Sequence, residues 1–107
     1  MVQVESRAGI AALSDILQVD GVDGVFIGPA DLAADMGFPG QTNAPEVRAV
    51  MEQAIRDIAA AGLAPGIMAP DPKFAKEAIG WGATFVCTAI DILVLAQGLR
   101  KIAKDWS

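Results

Sequence analysis

Glu5 and Asp31 are the residues of this chain best placed to do chemistry. Each follows a short apolar run, Val2-Gln3-Val4 in one case and Gly24-Val25-Phe26-Ile27 in the other. They stand 26 positions apart, about one βα unit. In a parallel sheet, residues at that spacing emerge side by side at the carboxyl edge of neighbouring strands, where α/β folds keep their ligands. Two carboxylates meeting there suit a hard divalent cation, which takes oxygen ligands. Gln3 shares a strand face with Glu5 and is placed to hold a metal-bound water. Gly28-Pro29 predicts a sharp turn before Asp31, and Gly28 and Ala30 are small enough for a ligand to approach the backbone. The N–H groups of Ala30 and Asp31 suit a ligand carboxylate, because a turn entering a helix gathers free donors. A small 2-oxo acid fits such a site, its keto group polarised by the cation. With both carboxylates engaged, neither is expected to act as a base.

Each residue alone has a plainer reading. Glu5 is then a solvated strand-end carboxylate, Asp31 a helix cap, and Gln3 an ordinary polar strand residue. Pairing Glu5 with Asp31 at one unit's separation is what favours the metal. Met68 ends another strand, either lining the pocket or sitting in the core. Asp91 is expected to cap the last helix, and Asp35, Asp71 and Glu77 to be solvated or capping.

Composition narrows the chemistry further. The net charge of −5 argues against nucleic acid and anionic membrane as partners. There is no histidine, so His-based acid–base chemistry and His-ligated zinc are excluded within this chain. The lone Cys87 reads as a buried structural thiol of a reducing, cytoplasmic compartment. The N-terminus lacks the basic region and apolar core of a signal peptide. No apolar run reaches the ~18 residues of a membrane span; the longest, Phe85 to Leu99, is broken by Asp91 and Gln97. A chain of 107 residues that is 53% hydrophobic has more apolar surface than it can easily bury, which implies a partner.

These residues need a scaffold, and the pattern supplies four βα units. Strands are expected at Met1 to Glu5, Val22 to Gly28, Ala64 to Met68 and Thr84 to Thr88. Helices are expected at Ala8 to Gln18, Pro45 to Ala61, Asp71 to Trp81 and Asp91 to Trp106, with a helical turn at Pro29 to Asp35 and a loop from Met36 to Ala44. Pro45 suits a first turn, and Val47, Val50, Met51, Ala54, Ile55 and Ile58 form one apolar stripe ahead of a Gly62 cap. The last helix is apolar through Leu93, Leu95, Leu99 and Ile102. The expected fold is α/β, one domain over residues 1–107, with a parallel sheet and outer helices. Four units are half of a (β/α)₈ barrel of about 250 residues. Half a barrel has two open edges and an uncovered inner face, so it must pair with another half or a second copy, or be unstable.

Gln3-Val4-Glu5, the run Val22 to Leu32 with its Gly28-Pro29-Ala30-Asp31, and Asp35-Met36-Gly37 resemble the HpcH/HpaI family of class II pyruvate aldolases. The resemblance extends through Ala64-Pro65-Gly66-Ile67 and Ala83 to Thr88. It implies the carboxyl-terminal half of a phosphoenolpyruvate/pyruvate-superfamily TIM barrel, and reversible cleavage of a 4-hydroxy-2-oxo acid to pyruvate and an aldehyde. Carried over by position, Glu5 and Asp31 would bind Mg²⁺, Mn²⁺ or Co²⁺. Gly28, Pro29, Ala30 and Asp31 would hold the pyruvate carboxylate, and Met68 would line an apolar pocket. The family assembles as hexamers with exchanged C-terminal helices. Its other half should supply a His that activates water and an Arg on the keto oxygen. This chain has no His, and Arg7, Arg48, Arg56 and Arg100 sit in no matching motif. No catalytic acid or base is therefore expected here, and the isolated chain is expected to be inactive, because losing a general base costs about 10²–10⁴-fold. Met1 matches an internal strand position, which leaves open a fragment, a partial gene product or a short natural protein, with a complementing N-terminal half as one partner. The alternatives are a non-enzymatic, self-associating half-barrel and a relative of citryl- or malyl-CoA lyases; Ala30, where those enzymes usually carry Glu, weighs against the latter.

Overall fold

The computed structural model describes residues 1–107. Strand β1 (Val2–Val4) leads to the short helices α1 (Arg7–Ala11) and α2 (Leu13–Ile16), and β2 (Gly24–Ile27) to α3 (Pro29–Asp35) and α4 (Pro45–Ala60). Strand β3 (Ala64–Met68) is followed by α5 (Pro72–Trp81), and β4 (Phe85–Cys87) by α6 (Asp91–Asp105). The strands form one sheet in the order β1-β2-β3-β4, every neighbour parallel. These are the four βα units of half a barrel, and β1 and β4 each leave one edge unpaired.

Strand alternation sorts the two faces of the sheet. Val4 lies beside Ile27, which lies beside Ile67, and all three are buried. Helix α4 supplies the opposing apolar surface with Val47, Met51, Ala54, Ile55 and Ile58 at helical spacing. Pro45 opens this helix at its first position, where its missing N–H costs nothing, and Gly62 follows its last turn at φ +77°. On the other face, Gln3 lies beside Phe26, Phe26 beside Gly66, and Gly66 beside Phe85. Phe26 and Phe85 meet edge to face with centroids 6.1 Å apart. No helix of this chain covers that face, and Phe85 is half exposed.

Three elements differ from the sequence expectation. The helix over Ala8 to Gln18 breaks at Ala12 (φ −88°, ψ 0°), and the new direction turns Leu13, the one buried residue of α1 and α2, into the core. Cys87 is half-buried rather than enclosed, because β4 is an edge strand. Helix α6 buries no residue: Ile92 is 66% exposed and Leu95 62%, and only Leu93 among the expected contacts is half-covered. The helix projects from the rest, which explains a radius of gyration of 15.3 Å against about 13 Å for a compact chain of this length. Asp91 is its first residue rather than its cap. Ile90 is the cap, and Asp91 Oδ1 accepts the Ile92 N–H at 2.8 Å.

Sheet closeness makes one prediction. A Cβ on Gly24 would stand 2.6 Å from the Ala64 carbonyl oxygen of β3. That atom is backbone and cannot rotate away, so Gly24→Ala forces β2 and β3 apart. The expected cost is about 1–3 kcal/mol, read from the midpoint of chemical denaturation. An unchanged midpoint would show that the strands separate freely here.

Candidate metal and substrate site

The end of β1 sets the position of Glu5. Val4 is buried under the helices, so the next residue points to the opposite face, at the carboxyl edge. The Gly28 N–H still donates to the Val4 carbonyl at 3.1 Å, so pairing of β1 with β2 persists to where both carboxylate segments leave the sheet. Gly28 is the N-cap of α3 and Pro29 its first residue, which puts Asp31 in the first turn, where the helix dipole favours an anion. Pro29, Leu32 and Ala33 pack inward, while Ala30 and Asp31 stay exposed. The first α3 amide to find a helical carbonyl is that of Leu32, on Gly28 at 3.1 Å. Pro29 has no N–H, so the Ala30 and Asp31 amides remain as donors at this helix start.

The structure brings the predicted residues together. Gln3 Nε2 donates to Glu5 Oε2 at 2.8 Å. The Glu5 carboxyl is pushed above its ordinary value, first by its partial removal from water, then by the hydrogen bond and negative charge of Asp31, with the Gln3 donor opposing. Glu5 Oε2 also lies against Gly28, three residues before Asp31, so the two carboxylates are near neighbours. A cleft of about 170 Å³ beside them is lined by Gly28, Pro29, Ala30, Asp31 and Met68 together with Gln3. Gln3 is engaged with Glu5 itself, which orients that carboxylate.

The donor set fits a hard divalent cation. Two adjacent carboxylates repel until a positive charge sits between them, and both offer only oxygen. Space for the Glu5 carboxylate and its Gln3 partner is kept by Gly28, whose Cβ would lie 2.7 Å from Glu5 Oε2 and 2.9 Å from Gln3 Nε2. No third His, Cys, Asp or Glu joins the pair, which leaves the remaining coordination positions to water and substrate oxygens.

Two features escape sequence reasoning. A second cavity of about 340 Å³ shares Pro29, Ala30 and Met68 with the cleft and continues to Asn43, Arg48 and Phe74. Arg48 lies 4.1 Å over the Phe74 ring and pairs with Glu77. No motif marks Arg48, because its partners come from another helix. Asp35 is also not merely solvated: its Oδ2 accepts the Arg7 backbone N–H at 2.7 Å. Asp71, as expected, caps α5 by accepting the Phe74 N–H at 3.0 Å.

The Arg7 amide, more than its side chain, holds the Asp35 carboxyl below the usual range, with partial burial opposing. The contact is therefore at full strength above the ordinary aspartate range and is lost as pH falls through it. Glu5 has the opposite sign. Its raised value adds stability only at low pH, lost as pH rises through the folded value. Asp35→Asn isolates the first effect: between about pH 5 and pH 3 its denaturation midpoint should fall less than that of the unchanged chain. Parallel curves would show that the contact does not form in solution.

The HpcH/HpaI aldolase/citrate lyase family matches residues 1–97. A hydroxypyruvate/pyruvate aldolase of Roseovarius nubinhibens is 50% identical over 106 residues, which cover 99% of this chain and 41% of that protein. A 4-hydroxy-2-oxo-heptane-1,7-dioate aldolase of Salmonella paratyphi B is 50% identical over 103 residues, covering 96% of this chain and 39% of the relative. The crystal structure of an HpcH/HpaI aldolase/citrate lyase family protein from Burkholderia cenocepacia superposes with a TM-score of 0.87 at 32% identity, over 97% of this chain and 41% of that one. The chain thus spans about two-fifths of the length of the relatives it matches. With its motif, its four parallel βα units and its match over residues 1–97, the chain belongs to the HpcH/HpaI aldolase/citrate lyase family.

Proposed function

We propose that this chain carries the metal- and pyruvate-binding part of a class II aldolase, which reversibly cleaves a 4-hydroxy-2-oxo acid to pyruvate and an aldehyde. The observation that carries the reading is the meeting of Glu5 and Asp31 beside a cleft walled by Gly28, Pro29, Ala30, Asp31 and Met68. Glu5 and Asp31 would hold Mg²⁺, Mn²⁺ or Co²⁺. Bound there, the ion would supply Lewis-acid polarisation of the 2-oxo group. Gln3 orients Glu5 by its amide donor. The Ala30 and Asp31 amides would receive the carboxylate of pyruvate, and Met68 would bound its methyl side. With the ion bound, neither carboxylate would be free to take a proton, so the acid–base group would belong to another part of the enzyme. The second cavity, opening past Met68 toward Asn43, has the room for an aldehyde acceptor.

The surface of the chain supports assembly as a homo-oligomer or with a complementing N-terminal half. β1 and β4 have open edges, and α6 exposes Ile92, Val94, Leu95 and Leu99. The same open edges favour a second reading, a non-enzymatic half-barrel that pairs with itself. The thiol of Cys87 is free, in keeping with a reducing, cytoplasmic setting. No helix is long and apolar enough to cross a membrane.

Calorimetric titration with Mn²⁺, with and without pyruvate, tests the proposal together with the mass in solution. Mn²⁺ binding that tightens with pyruvate is the expected result. A folded chain of defined mass that binds neither would leave the self-pairing half-barrel as the better reading.

A further inference from the structure

The two carboxylate-bearing segments are tied together a second time, away from the carboxylates. Asp35 lies one helical turn after Asp31 on α3, so both face the same side. Arg7 lies two residues after Glu5 and opens α1. Asp35 Oδ2 accepts the Arg7 backbone N–H at 2.7 Å and lies 3.4 Å from Arg7 Nε. The contacts thus form two rungs between the same pair of segments: Glu5 against Asp31, and Arg7 against Asp35.

The rungs have opposite signs. The first sets two like charges side by side and pushes the segments apart until a cation arrives. The second is an attraction, a carboxylate on a backbone donor, which is stronger than a neutral hydrogen bond. The Arg7 N–H is one of the first-turn amides that a helix leaves without an internal partner. α1 has only five residues and fully buries none of them; Ile10 is its half-buried contact with the core. Ser6 caps this helix too, but locally, through the Gly9 N–H at 3.0 Å. Asp35 supplies the side-chain hydrogen bonds that reach it from the segment that bears Asp31, 28 residues on.

We infer that Asp35 is a positioning residue for the metal pair: its bond to the Arg7 amide holds the Glu5 and Asp31 segments at the spacing a divalent cation needs. This rests on the metal-site reading above. Groups that orient metal ligands without touching the metal are worth about 10–100-fold in affinity, and this one is partly exposed, so the expected loss is at the lower end.

The test is Mn²⁺ titration of the chain and of three variants at neutral pH, with hydrogen exchange at the Arg7 amide followed by NMR. Asp35→Ala should bind Mn²⁺ about tenfold more weakly and exchange the Arg7 amide faster. Asp35→Asn keeps an oxygen acceptor for that amide and should restore most of the affinity. Ser6→Ala removes the other cap of α1 at a similar cost in stability and should leave Mn²⁺ affinity unchanged. A chain that binds Mn²⁺ with equal affinity after Asp35→Ala overturns this inference alone. So does an equal loss from Ser6→Ala, which would make the effect one of helix stability. A chain that binds no Mn²⁺ before any substitution overturns the metal-site reading and this inference with it.

Discussion

Asp31→Asn should lower the affinity of the chain for Mn²⁺ by about 100-fold or more, because it removes a proposed ligand rather than a group that orients one. Glu5→Gln should do the same. Neither change should cost the fold more than about 0.5 kcal/mol, since Asp31 is exposed and Glu5 is half-buried at a strand end. The opposite effect on the metal-free chain is a sharper signature. Glu5 sits above its ordinary pKa in part because Asp31 faces it. Replacing Asp31 by a neutral amide of the same shape removes that repulsion, so the Glu5 carboxyl should titrate lower. One substitution thus relaxes the empty site and disables the loaded one, a combination that general destabilisation does not produce. The double variant should lose little beyond either single one, because in the proposed site both residues serve one ion. Calorimetry with Mn²⁺ and NMR titration of the Glu5 carboxyl carbon read the two effects. Unchanged affinity in both single variants would remove the site assignment.

The carboxylate pair was legible in the sequence because its signal is short-range. Glu5 and Asp31 each follow an apolar run, and one βα unit separates them. The helix α4 was legible for the same reason: its stripe from Val47 to Ile58 repeats every three to four residues, and all but Val50 are buried. What stayed hidden depends on register and on how the helices are placed. Asp35 meets Arg7 across 28 residues, and no periodicity records that contact. Arg48 stacks on Phe74 only because α4 and α5 lie side by side. Helix α6 has the apolar pattern of a core helix, and such a pattern reads alike whether its cover comes from the same chain or from another. The break at Ala12 was missed because alanine is the best helix former and gives no local warning.

Gly28 is the position where sequence and structure assign different reasons to one residue, and it gives the second large prediction. In sequence it is a small residue that lets a ligand approach the backbone. In the structure its missing side chain leaves room for Glu5 and Gln3: a Cβ would lie 2.7 Å from Glu5 Oε2 and 3.0 Å from Glu5 Cβ. The backbone at Gly28 (φ −98°, ψ 95°) is open to any L residue, so Gly28→Ala carries no conformational strain. The two shortest clashes fall on flexible side-chain ends, which can swing away, and the 3.0 Å approach to Glu5 Cβ asks its segment to give by a small shift, so stability should fall by about 1 kcal/mol. The carboxylate that swings away is half of the proposed metal site, however, and Mn²⁺ affinity should fall about tenfold or more. Gly24→Ala, on the same strand face, makes the contrast. There the added methyl meets a carbonyl oxygen of β3, and the loss should appear in stability, with the metal ligands untouched. Two identical substitutions four residues apart therefore separate the two jobs of this strand, holding the sheet and holding the site. Equal Mn²⁺ affinity in Gly28→Ala and the unchanged chain would mean that Glu5 can yield space without leaving the ion, and that the Gln3–Glu5 contact does not fix its position.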